Sequence, residues 1–171
     1  MVNSEDLKNA LGEDLRIIKF QDLKNYSNIY KLLPKQKDYV VIFFTDDIKN
    51  NTNIGHWTCL MRYNNKFEFF DSYGLKEPDE LKFISDEKRA RFGESVDYLQ
   101  ELLKPVKHTY NNYDYQKWDD NVTTCGRWVI LRLILFKNGC VTSAQFHNKI
   151  MRTYFKMKFK NLDMLSVYFT E

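Results

Sequence analysis

Cysteine, proline and glycine are all scarce in this chain: its 171 residues include 3 Cys, 3 Pro and 6 Gly. Three irregularly spaced thiols build neither a disulfide framework nor a zinc site. They point to a reducing compartment in which a thiol is free for chemistry. So little Pro and Gly excludes a loop-dominated protein. No apolar run approaches the roughly 20 residues needed to span a bilayer, so no membrane partner is expected. The opening MVNSEDLKNALGEDL is acidic and polar, unlike a secretory signal or a transit peptide. Charge of one sign is also lacking. The net charge of +3 gives no reason to expect nucleic acid as the main partner, and any basic patch has to be local.

What is present is a globular composition rich in aromatics. With 13 Phe and 11 Tyr, the core should be aromatic-heavy, and the length suits one domain over residues 1–171 that folds without staples. No repeat or linker interrupts it. Asn3 or Ser4 can cap a helix running to Leu11, with Gly12 as its stop. Leu23, Tyr26, Ile29, Tyr30 and Leu33 predict a helix from about Gln21 to Leu33, ended by Pro34. The period then changes. Asp38-Tyr39-Val40-Val41-Ile42-Phe43-Phe44-Thr45 reads as a buried central strand, Asp46 to Asn53 as a loop, His56 to Tyr63 as a second strand, and Lys66 to Asp71 as a third after an Asn64-Asn65 turn. Pro78 to Ile84 and Gly93 to Lys104 look helical, and Val106 to Tyr110 is a short strand. A polar aromatic loop, Asn111 to Thr124, leads into an apolar helix from Cys125 to about Phe136. Ser143 caps a further helix to about Phe155, and Asn161 to Phe169 is a short amphipathic helix or strand. The order predicts an α+β fold, a mostly antiparallel meander flanked by helices.

Cys125, in Thr123-Thr124-Cys125-Gly126-Arg127-Trp128, falls at a helix N-terminus, and the preceding hydroxyls can cap that helix. Orphan N–H groups and the helix dipole there favour an anion, which lowers a thiol pKa and can hold an oxyanion. Gly126 leaves room for a substrate backbone. The local pattern fits a small packed thiol as well as a reactive one. Cys59, inside a strand, and Cys140, after a stop glycine, read as buried or incidental thiols. A nucleophilic thiol needs a base and an acid that orients the base. His56 starts a strand after Gly55 and before Trp57, at an edge where an imidazole can face a cleft. His108 and His147 fit solvated surface roles better. Across the Asn64-Asn65 hairpin, Asp71 at the end of one strand should lie beside His56 at the start of the other. Asp71 equally suits a cap on the Ser72-Tyr73-Gly74 turn. Gln116, in the loop leading to Cys125, is a candidate amide donor to an oxyanion. Asn111, Asn112 and Asn121 offer other amides. No metal and no cofactor is implied.

Gly55-His56-Trp57, Phe70-Asp71-Ser72-Tyr73-Gly74, Tyr115-Gln116 and Thr124-Cys125-Gly126 resemble, in that order, the His–Asp–Gln–Cys blocks of the adenain-like cysteine proteases. That clan includes the adenovirus maturation protease and the SUMO-specific proteases. The look is closest to the adenain-like proteases of large DNA viruses, virophages and polinton-like elements, over residues 39–137. The gap from Gln116 to Cys125 is slightly longer than in the SUMO proteases. The resemblance implies an adenain-like fold and a cysteine endopeptidase with His56 as base, Asp71 as its orienting acid, Cys125 as nucleophile and Gln116 with the Cys125 N–H as oxyanion donors. It implies a channel walled by Trp57 that prefers small residues, often glycine, before the cut. Core packing serves Trp57 equally well. The substrate implied is a viral capsid or core protein, in the virion or in the host cytoplasm or nucleus. Two alternatives keep the same blocks: an isopeptidase acting on a ubiquitin-like modifier, and a non-catalytic binding module. Viral proteases of the clan can use DNA or a peptide as activator, which singles out the basic aromatic stretch 147–160, although a solvated amphipathic helix accounts for it too.

Overall fold

The computed structural model describes residues 1–77 and 79–171. A five-stranded sheet runs in the order β1 (Ile17–Lys19), β2 (Tyr39–Lys49), β3 (Thr52–Tyr63), β4 (Lys66–Phe70) and β5 (His108–Tyr110). The middle three strands form the antiparallel meander, and the short outer strands pair parallel to their neighbours. The sheet is therefore mixed. β1 is absent from the sequence reading because three residues are too short for a period-2 signal. Alternation along β2 sends Val41 and Phe43 to one face and Val40, Ile42 and Phe44 to the other, and both faces are buried. This is why the strand reads as an unbroken apolar run.

The expected loop from Asp46 to Asn53 is instead a continuation of both strands. Asn50 and Asn51 take φ of 49° and 59°, giving a two-residue turn whose twist matches the strands, as Asn64 and Asn65 do at 48° and 56°. The pairing slips between Thr45 and Asp47, which leaves Asp46 as a bulge. Gly55 is required beside it: a Cβ there would lie 1.8 Å from the Phe44 carbonyl oxygen.

α1 (Ser4–Leu11) has the expected cap, a reciprocal box between Asn3 and Asp6. The single helix expected from Gln21 to Leu33 is broken into a 3₁₀ turn (Phe20–Asn25) and α2 (Ile29–Leu32). Tyr26 is extended, and Asn28 restarts the helix by accepting from the Lys31 N–H. Of the helical stretch expected from Pro78 to Ile84, Pro78 lies outside the described residues and Glu80–Phe83 forms a 3₁₀ turn. Of the stretch expected from Gly93 to Lys104, only Tyr98–Leu103 is helical. Gly93, at φ 74°, ends α3 (Asp86–Phe92), and Asp97 caps α4 (Tyr98–Leu103). α5 (Cys125–Lys137), α6 (Ser143–Met157) and α7 (Leu162–Thr170) complete the chain. The cap of α6 is Thr142, not Ser143. Among the described residues no helix is long and apolar enough to cross a membrane.

Helices cover both faces of the sheet. One core joins α1, α5, α6 and α7 to Val41, Phe43, Trp57, Cys59, Met61 and Phe70. The other joins the 3₁₀ turns, α2 and α4 to the opposite face. α5 is apolar nearly all round, as a buried helix should be. Its one buried charge, Arg132, donates to Glu68 Oε2 of β4 at 3.0 Å and to the carbonyls of Cys140 and Val141. Tyr63 donates to the other Glu68 oxygen at 2.6 Å. This satisfied network clamps the helix that begins with Cys125 onto the sheet.

Candidate active site

β3 and β4 stay paired as far as Cys59 opposite Phe70 and then part. His56 and Asp71 sit where they separate. Continuing the register places Tyr73 opposite His56 and Asp71 one diagonal back. The Tyr73 ring stacks on the imidazole with centroids 5.1 Å apart, and His56 Nε2 donates to Asp71 Oδ1 at 2.8 Å. Both partners of that bond are buried. With Nε2 committed to Asp71, Nδ1 is the nitrogen left for the thiol of Cys125, which the imidazole contacts.

Asp71 is itself held through both backbone groups and Oδ1. Asn111 accepts from its N–H at 2.8 Å and donates to its carbonyl at 2.6 Å. The Tyr73 N–H donates to Oδ1 at 2.8 Å. Gly74, at φ 72°, closes the turn so tightly that a Cβ would meet the Tyr113 backbone at 2.9 Å. The turn-capping and histidine-orienting roles weighed for Asp71 are thus both served by one oxygen.

The electrostatics couple the three groups. Burial pushes the Cys125 thiol towards neutrality. The His56 charge and hydrogen bond, with the N–H groups of Trp57 and Gly126, outweigh it, and the thiol pKa falls below its ordinary value. Burial likewise opposes protonation of His56, but Glu80 where it is ionised, Asp71 and Cys125 raise its pKa well above the ordinary one. The two shifts run in opposite directions and favour a thiolate beside an imidazolium. By contrast, burial pushes the Cys59 thiol strongly upward, so it is inert.

Cys125 is the first residue of α5, so its N–H has no acceptor within the helix. The hydroxyl of Thr124 does not cap the helix as expected. It donates instead to Asp163 Oδ1 in the first turn of α7, which also accepts from Trp128 Nε1 at 3.3 Å; Asp163 Oδ2 accepts from the Lys117 N–H at 3.0 Å. Gln116 is buried, its Oε1 accepting from Ser72 Oγ at 2.8 Å. Its amide donates to the Tyr73 hydroxyl at 3.0 Å and to the Val122 carbonyl at 2.8 Å. Both of its N–H groups are therefore engaged, and an oxyanion would have to take the place of the Tyr73 hydroxyl.

Trp57 packs on Phe43 at 4.4 Å and donates from Nε1 to the Val2 carbonyl at 3.0 Å. The room expected at Gly126 is filled by that same residue: a Cβ at 126 would lie 2.7 Å from Val2 Cβ and 3.1 Å from Trp57 Cδ1. Beside them an open groove of about 1120 Å³ is lined by Val2, Lys8, Ile18, Phe43, Gly55 and Trp57, among others. His108 is exposed. His147 is half-buried, with Nδ1 3.1 Å from the Tyr115 hydroxyl. Lys149, Arg152, Lys156, Lys158 and Lys160 are all exposed, and Phe155 projects among them at 67% exposure.

Glu80, Asn111, Ser72, Tyr73 and Asp163 shape the site without having been singled out for these roles. Ser72 and Tyr73 were within reach, since they lie inside the Phe70–Gly74 block. Glu80 and Asp163 arrive from helical turns whose local sequence carries no sign of a distant partner. His56, Asp71 and Glu80 each place one potential ligand atom within 4.8 Å of the others. His56 Nε2 is already bonded to Asp71 Oδ1, so it is not free to ligate a cation.

No family model matches the chain. It is similar in structure to a de-sumoylating protease, at a TM-score of 0.31 and 17% identity over 96% of this chain and 76% of that one. A likeness of that size supports no statement about function. In sequence it is similar to the uncharacterized protein V9 of Sputnik virophage, with 34% identity over 133 residues that cover 76% of this chain and 73% of that protein. By that extent and identity the chain belongs to the family of the Sputnik virophage protein V9.

Proposed function

We propose that the chain is a cysteine endopeptidase. The observation that carries this reading is the thiol at the start of α5, lying against an imidazole whose far nitrogen is held by a buried carboxylate at 2.8 Å. In the resting pair the proton of Cys125 sits on His56. The thiolate attacks a peptide carbonyl, forming the S–C bond, and the carbonyl oxygen takes the negative charge. The orphan N–H of Cys125 donates to that oxyanion, and Gln116 Nε2 joins it by exchanging the Tyr73 hydroxyl for the substrate oxygen. His56 then gives its proton to the leaving amine as the C–N bond breaks. Water, deprotonated by His56, attacks the thioester; the C–S bond breaks, the acid product leaves, and the thiolate beside protonated His56 is restored.

For the substrate we favour a capsid or core protein processed during virus maturation. The virophage relative and the viral look of the Phe70–Gly74 and Thr124–Arg127 blocks support this over a ubiquitin-like modifier. A substrate strand approaching Gly126 would have to displace Val2, which fills that space and is held by Trp57 Nε1. Wild-type protein and Cys125→Ala should be incubated with the capsid protein of the same genome and with ubiquitin and SUMO probes. Cleavage of the capsid protein by wild type alone is the expected result. Reaction with a modifier probe alone would reassign the substrate, and cleavage by Cys125→Ala would remove the nucleophile assignment.

A further inference from the structure

The pocket behind His56 holds a second acid that the peptidase reading does not use. Glu80 is 6% exposed, on the 3₁₀ turn Glu80–Phe83, with Oε2 4.0 Å from His56 Nε2. Asp71 Oδ1 is occupied by His56 and by the Tyr73 N–H. Asp71 Oδ2 and Glu80 Oε2 are both buried without a hydrogen-bond donor. Two orphaned carboxyl oxygens in one desolvated pocket are costly, and two buried carboxylates with oxygens within 4.8 Å of each other do not both ionise. A single proton between them satisfies both oxygens.

We infer that Glu80 is a positioning residue that keeps its proton and donates it to Asp71 Oδ2. This rests on the peptidase reading for its role in catalysis but not for its existence. The charged and titratable groups facing Glu80 are His56 from β3, Asp71 after β4, Asp46 from the bulge of β2, and Tyr73. Burial, with Asp71 and Asp46, raises the Glu80 pKa well above the ordinary carboxyl value against the pull of His56, whereas that of Asp71 falls despite its burial, chiefly because of His56. Environments that push two carboxyls apart in this way mark one as the acid and the other as the base. The consequence for His56 is definite. Of the Asp71–Glu80 pair it faces one charged carboxylate and not two, and the Glu80 O–H turns Asp71 so that Oδ1 stays on Nε2 and Nδ1 stays on Cys125.

The test compares wild type with Glu80→Gln, which keeps a donor of the same shape without a titratable proton, and with Glu80→Leu, which keeps bulk and loses the donor. Infrared difference spectra of the full chain at pH 7 should show a protonated-carboxyl stretch in wild type that Glu80→Gln lacks. The pH profile of Cys125 alkylation should be the same in wild type and Glu80→Gln. Glu80→Leu should lower kcat by about ten-fold or more with KM near wild type, and Glu80→Gln should restore it. Absence of the infrared band overturns the inference. So does an alkaline limb that moves down in Glu80→Gln, which would show that Glu80 acts as a charge. A band or profile altered by EDTA puts a cation where the proton is placed and also overturns it. If no substrate is ever cleaved, the peptidase reading fails, while the infrared band and the alkylation profile still decide Glu80.

Discussion

Removing the His56 imidazole should make Cys125 a poorer nucleophile at neutral pH than an ordinary exposed thiol. Cys125 is only 7% exposed, and burial is the largest influence on its ionisation, acting against it. His56 reverses that balance through its charge and a hydrogen bond. In His56→Ala only the N–H groups of Trp57 and Gly126 remain to oppose burial. A charge-assisted hydrogen bond is worth about 1.5–3 kcal/mol. At 1.36 kcal/mol per decade, its loss lowers the thiolate population at pH 7 by roughly 10–100-fold. The assay is iodoacetamide alkylation followed by peptide mass mapping, which separates Cys125 from the inert Cys59 and the partly exposed Cys140. Truncating a histidine also opens space, which would speed alkylation, so the rate is measured across pH. A loss through ionisation disappears as the pH rises through the variant's own pKa, where the more basic thiolate is intrinsically the better nucleophile. A loss through altered access persists at every pH. Alkylation of His56→Ala at the wild-type rate at pH 7 would refute the thiolate–imidazolium pair.

Gln116→Ala should reduce kcat by about 10²–10³-fold with little change in KM, while Cys125 alkylates at the wild-type rate because that reaction builds no oxyanion. A near-wild-type kcat would limit Gln116 to tying Ser72, Tyr73 and Val122 together. Arg132→Ala leaves Glu68 charged and buried without its partner, and urea unfolding should show a loss of about 3–5 kcal/mol; a change below 1 kcal/mol would mean that the Tyr63 hydroxyl and relaxation suffice. Glu94 accepts from the Thr45 N–H at 2.8 Å, and burial pushes its pKa up to about 7 from 4.5. The native state therefore holds this proton between those pH values when the unfolded chain has lost it. The Glu94 contribution to stability should decline as pH rises from 4.5 through 7, and Glu94→Gln should flatten that decline in denaturation curves taken at stepped pH.

The parts of the fold legible in the sequence are those specified locally. Asn64-Asn65 marks a turn because asparagine tolerates the left-handed conformation, and Asn3 marks a helix start because its side chain reaches Asp6. The same chemistry at Asn50-Asn51 was masked by a polar run, so a hairpin extension looked like a loop. Helical periodicity from Gln21 to Leu33 and from Gly93 to Lys104 ignored interior caps. Asn28 and Asp97 each restart a helix at a place where the apolar spacing alone would run straight through. Burial decides the spacing, but backbone capping decides the boundaries.

The site divides in the same way. Asp71 and Cys125 stand out because each sits where one element ends, at a strand end and a helix start, and ends can be read from sequence; His56 instead lies inside β3, just beyond the point where its pairing with β4 stops. The groups that hold them come from elsewhere in the chain. Asn111 grips both backbone groups of Asp71 across 40 residues, and Asp163 takes the Thr124 hydroxyl across 39. Glu80 approaches from a 3₁₀ turn that looked like one more amphipathic segment. Such long-range polar pairings leave no periodic trace. What they leave is an energetic one, a buried polar atom that must find a partner. Two of the buried oxygens without a donor among the described residues, Asp71 Oδ2 and Glu80 Oε2, lie beside the base whose proton the chemistry moves.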